Sequence, residues 1–195
     1  MDQNLLFALV GFAFVSTATP GPNNMMLLAS GVNFGVTRTV PHLLGISLGL
    51  GAMVVAVGLG VTTLFARWPL LEELLKWLSL GYMIWLAAKI ARSGRPEAKA
   101  AGAKPMTFLQ AAAFQWVNPK AWAMALGALS AYAAGVGGSA VVALTFIVVG
   151  LPVIFLWAAM GQGLRGYLAD ERRLRIFNWT MAALLVLSML PVVFH

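Results

Sequence analysis

Between Leu43 and Ala66 the chain runs 24 residues without a charged side chain. Such a run has few places to go: roughly 20 consecutive apolar residues are what an α-helix needs to cross a hydrocarbon core. The rest of the chain makes the same demand. Apolar residues are 61% of the 195 and charged ones 10%, against roughly 25% charged in soluble domains, and the mean hydropathy is +0.86. A soluble all-helical core is the alternative, and uncharged runs of this length argue against it. In lipid each segment has to satisfy its own backbone amides, which a helix does. The expected class is an all-α integral membrane protein.

Six apolar segments separate: 5–32, 43–66, 70–91, 107–134, 139–164 and 176–194. They predict six transmembrane helices. The third is weakest, carrying Glu72, Glu73 and Lys76 in its opening turns; either glutamate with Lys76 reads as a helix-supporting i,i+3 or i,i+4 pair. The first and fourth are interrupted, by TPGPNN at 19–24 and by Asn118-Pro119-Lys120. The opening MDQN lacks the basic n-region of a cleaved signal, so the first run is expected to stay.

The whole chain, 1–195, reads as one transporter domain. Repeat 1 spans 1–92, a linker rich in charge, alanine and glycine spans 93–106, and repeat 2 spans 107–195. A shift of 99 residues puts Pro20 on Pro119 and Gly51 on Gly150. Three crossings per half force the second unit to sit inverted, the arrangement of many secondary transporters built on broken helices. Chance alignment of two ordinary three-helix halves is the competing explanation.

Charge sets the orientation. The loops after the first, third and fifth segments, with their helix ends, hold Arg38, Lys89, Arg92, Arg95, Lys99, Lys104, Arg165, Arg172, Arg173 and Arg175, against Arg67 and Lys76 opposite. Basic residues mark the cytoplasmic side, so both termini are expected in the periplasm and the protein in the inner membrane. The same asymmetry accounts for the net charge of +7 without nucleic acid. Absence of cysteine excludes disulfides and thiol chemistry. No ligand cluster suggests a metal, and no cofactor is expected.

The two interruptions lie near mid-span. Proline removes an amide and clashes with the carbonyl four residues back. Backbone left unsatisfied at that depth has to be buried in protein or line a wet cavity. The half-helix opening near Pro22 to Asn24 aims free amides and a positive dipole end there, a seat for a carboxylate. Lys120 is costly at mid-membrane, about 2.5–3.5 kcal/mol, and is explained by a carboxylate ligand, by snorkelling, or by bonds to carbonyls freed by Pro119. Candidate binding residues are thus Pro20, Gly21, Pro22, Asn23, Asn24, Gln115, Asn118, Pro119 and Lys120. Their amides supply donors and acceptors suited to a zwitterion. Trp116 and Trp122 flank the second break, where they wall the cavity or face lipid or a neighbouring helix.

TPGPNN followed by MMLLASGVNFG, with LLGISLGLG, GYMIWLAAKIA and KPMTFLQAAAFQWVNPKAW, resembles the LysE/RhtB family of amino-acid exporters over essentially the whole chain. The pairing of TPGPNN with KPMTFLQAAAFQWVNPK is nearest the cysteine/O-acetylserine branch. The resemblance implies efflux of an amino acid or close derivative (cysteine/O-acetylserine-like, homoserine/threonine-like or basic) driven by the proton gradient, with a homodimer as a compatible assembly. The family motif often continues with Asp where this chain has Asn23, so no coupling carboxylate carries over.

The six acidic residues, Asp2, Glu72, Glu73, Glu97, Asp170 and Glu171, lie near span ends or in loops, which leaves protons to move with the substrate or through Lys120. Gly45-Ile46-Ser47-Leu48-Gly49 matches the GxSxG of serine hydrolases but lacks the strand–turn–helix elbow; Gly45 and Gly49 read as a face for close helix packing. His42, near Arg38, reads as a solvated histidine, with a pH-sensing gate as the alternative. The alternative function is a membrane-embedded enzyme or accessory subunit with a polar cavity, and missing catalytic groups speak against it.

Overall fold

The computed structural model describes residues 2–61, 67–92 and 104–187. Among them lie eight α-helices and no strand: α1 (Gln3–Ala18), α2 (Pro22–Phe34), α3 (Val36–Ala56), α4 (Pro69–Ala91), α5 (Phe108–Phe114), α6 (Pro119–Val136), α7 (Ser139–Leu164) and α8 (Glu171–Leu187). Helix α3 runs into a π-helical turn, Val57–Val61, where Gly60 takes the positive φ of 102° that a side chain would resist. The end of the second apolar segment, most of the linker and the last eight residues fall outside the description, as do the side chains of Glu72 and Lys76.

By length and composition α3 with its π turn and α7 can each cross a membrane, and α1 with α2 forms a third such unit bent by 55°. Two boundaries differ from the sequence reading. The second helix begins at Val36, not Leu43, and carries Pro41 inside it, where the missing amide leaves one i→i−4 bond unmade. The last begins at Glu171, not Ile176, because Asp170 Oδ1 accepts from the Arg173 amide at 2.9 Å and starts the helix early.

Helix α7 is the centre, packing on α1, α2 and α3; α5 lies on α3, while α4 and α8 pair beside α2. The closest approaches are made by glycine. A Cβ on Gly31 would collide with the Ala158 carbonyl and one on Gly161 with that of Leu28, so α2 and α7 touch backbone to backbone. Gly45 and Gly49 do the same for α3 against Phe108 and Ala112 of α5, which is the packing role read for them. Such small-residue seams are how helices associate in lipid. Leu9, Met53, Ala125 and Phe146 fill the main core. Outside it, Phe7, Leu109, Val148 and Leu156 are each more than half exposed, an apolar surface suited to acyl chains rather than water.

Candidate functional site

Helix α1 stops at a residue that precedes proline and is pushed out of the helical region: Thr19 sits at ψ 142°. Pro22 then opens α2 at the first helical position, where its missing amide is no loss. The second break is built differently. A 3-10 turn, Gln115–Val117, follows α5, and Asn118 at ψ 106° precedes Pro119 at the first position of α6.

Breaking α1 frees carbonyls, and side chains satisfy them. Asn24 Nδ2 donates to Thr17 O at 2.7 Å and Thr19 O at 2.9 Å. Lys120 Nζ, reaching across from α6, donates to Thr19 O at 2.6 Å, Thr19 Oγ1 at 2.9 Å and Pro20 O at 3.4 Å. An ammonium has three donors, and all three are used. The charge lies at the negative end of the α1 dipole, where a cation is stabilised. The carbonyls are those freed at TPGP, not by Pro119. Glycine at 21 leaves room for this side chain: a Cβ there would lie 2.6 Å from Lys120 Cδ and push the lysine off these bonds.

A second bridge joins the breaks. Asn23 Nδ2 donates to Gln115 Oε1 at 2.8 Å, and Gln115 Nε2 donates to Asn23 Oδ1 at 3.2 Å and to Ala111 O at 2.9 Å. Gln115 is fully buried with its amide donors and acceptor engaged. Asn118 caps α6 by accepting from the Lys120 amide at 3.2 Å.

Gly21, Asn23, Asn24, Gln115, Asn118 and Lys120 line one cavity. Of the other predicted site residues, Pro20 lends its carbonyl to Lys120, and Pro22 and Pro119 set helix starts without lining it. Sequence reasoning missed Thr17 and Ser47, which line the cavity with hydroxyls that have no protein partner. Each costs roughly 1–3 kcal/mol if left unsatisfied. The signals available were the Ser16-Thr17 pair just before the first break and the lone Ser47 in an apolar run. The cavity measures about 30 Å3, room for on the order of two waters.

One open reading narrows and another changes. Trp116 and Trp122 do not line this cavity; they pack edge to face at 6.1 Å, with Trp122 Nε1 donating to Trp116 O at 2.9 Å, and clamp the break from beside. His42 is not solvated but buried, and neither ring nitrogen has a partner. It faces inward because α2 and α5 close over the start of α3. Among the described side chains no carboxylate is buried.

The family described as LysE type translocator matches residues 14–190. The chain belongs to the LysE family of translocators. It is a membrane transport protein and not an enzyme. The cysteine/O-acetylserine efflux protein of Klebsiella pneumoniae subsp. pneumoniae is 30% identical over 201 residues, 99% of each chain. The protein of the same name from Escherichia coli strain K12 is 35% identical over 133 residues, 68% of this chain and 67% of the relative. No solved structure matches.

Proposed function

We propose that this LysE family member exports amino acids or close derivatives from the cytoplasm across the inner membrane, driven by the proton gradient, with cysteine and O-acetylserine as its first candidates. The observation that carries this reading is the meeting of the two breaks: Asn23 with Gln115, and Lys120 with Thr19, around one buried polar cavity. Candidate substrates come from the names of the two relatives.

The same reading includes one transporter domain of six membrane helices in two inverted repeats, 1–92 and 107–195. Pro22 and Pro119 each occupy the first position of a helix, which supports treating the two breaks as counterparts. Part of the packing supports a two-fold exchange, α1 lying on α7 as α5 lies on α3, and α3 pairing with α7 and α4 with α8, whereas the broad α2–α7 seam has only a slight counterpart between α6 and α3. Both termini are proposed to be periplasmic, so a C-terminal alkaline phosphatase fusion should be active and a GFP fusion dark.

In this closed state a cavity of about 30 Å3 excludes an amino acid, so export requires α1 and α2 to part from α6. Lys120 then has to leave Thr19 to meet a carboxylate, an exchange of one set of oxygen acceptors for another. Comparing intracellular and extracellular amino-acid pools in overproducing and deleted cells tests the proposal. Overproduction should lower the internal pool of O-acetylserine or cysteine and raise the external one. Unchanged pools across all amino acids would sink it.

A further inference from the structure

We propose that the cavity on the Arg38 side of the two breaks is the loading subsite for a small zwitterionic amino acid, with His42 as the polar group that receives it. This rests on the export reading and adds where substrate first binds. Helices α2, α3, α4 and α5, with the segment leading into α5, surround a space of about 850 Å3. That space admits an amino acid which the cavity of about 30 Å3 between the breaks cannot.

Its walls are chemically sorted. His42 is buried at the wall with both ring nitrogens lacking a protein partner. A neutral imidazole offers one donor and one acceptor in either tautomer; both nitrogens are covered, so a rotation of the ring has to bring one of them to what enters. Ser30, also buried at the wall, bonds Thr39 Oγ1 at 2.7 Å, and Thr39 Oγ1 donates to Gly35 O at 2.8 Å. The Thr39 proton is committed, so Ser30 donates to Thr39 and keeps its own lone pairs for an ammonium. Lys104, exposed at the rim, supplies the complementary cation for a carboxylate. Among the described residues no carboxylate lines the space. Met26, Leu86 and Phe114 offer an apolar wall to a short side chain.

The subsite also leads somewhere. Met26 lies one helical turn beyond Asn23, and Phe114 immediately precedes Gln115. The two pack in one cluster, so substrate leaving the loading cavity has to displace them to reach the Asn23–Gln115 pair.

The absence of cysteine gives a direct test. The variants Ala113→Cys and Ala29→Cys each put a thiol on the cavity wall, and Ala169→Cys puts one on an exposed turn between α7 and α8, away from it. Each full-length variant, in inverted and right-side-out vesicles, is treated with a membrane-impermeant maleimide, with and without O-acetylserine. Both wall thiols should react in inverted vesicles, and O-acetylserine should slow them but not the control. His42→Leu should raise the half-protecting concentration by about tenfold, the loss of one good hydrogen bond, and His42→Gln should recover most of it. Wall thiols that O-acetylserine and the other small amino acids leave unprotected, in a variant that still exports, would overturn the subsite. So would His42→Leu protection at the parental concentration. Failure of the unsubstituted protein to export any amino acid takes down the export reading instead.

Discussion

The two breaks solve the same problem in opposite ways. At TPGPNN the helix ends abruptly, bends by 55° and leaves carbonyls that its own backbone does not satisfy; Asn24 and the distant Lys120 do so. At QWVNPKAW the chain satisfies itself locally. A 3-10 turn carries it over the gap, Asn118 caps the next helix, and Trp122 bonds back to Trp116 O. The first break is therefore held open from outside, and the second is a rigid anchor that supplies the holding group. A site that has to open is better built from one borrowed closure and one fixed wall than from two of either.

Making α1 and α2 continuous should break this comparison most completely. Replacing Pro20, Gly21 and Pro22 together with Ala removes the bend and the freed carbonyls. The variant should insert at normal levels and lose export entirely in a toxicity-relief assay; normal export would reduce the motif to a tolerated kink. Next comes Lys120→Met, which keeps the volume and deletes the ammonium. Hydrogen bonds from charged groups contribute roughly 1.5–3 kcal/mol, so detergent-solubilised protein should unfold at distinctly lower temperature and export should cease. Parental export and stability would show that α1 needs no cation at its end.

The bridge between the breaks is worth less. A double-mutant cycle on Asn23→Ala and Gln115→Ala should return a coupling of about 1 kcal/mol, read by thermal unfolding; additive effects would mean that the reciprocal amides are incidental. Removing the cap with Asn118→Ala should cost about 1 kcal/mol of stability while transport survives. Pro119→Ala should be smallest, about 0.5–1 kcal/mol, because the 3-10 turn and Asn118 remain. A collapse of transport in Pro119→Ala would erase the distinction drawn between the breaks.

Much of this architecture was legible in one dimension. The fifth apolar segment, 139–164, coincides with α7, since an uncharged run of that length in lipid can do little but form a helix. Prolines announced both breaks, and six of the nine proposed site residues do line one cavity. Other features were illegible for a common reason. His42 sits four residues from Arg38 and reads as solvated, yet α2 and α5 bury it. Thr17, next to Ser16, and Ser47, alone among apolar neighbours, lie 30 residues apart, and only the packing of α1 and α3 around the site puts them on one wall.

What the sequence determined by itself was the solvent, the helices and the two places where they stop, because hydropathy and proline act locally on each segment's own backbone. What the tertiary structure decided was the partner of each polar group. Lys120 could have met a ligand, the headgroups or a carbonyl, and its charge is the same in all three. The choice of Thr19 and Pro20 follows from α6 lying beside the end of α1 with glycine at 21 to let the side chain pass. That is a fact of distance across 100 residues of chain, and no local rule contains it.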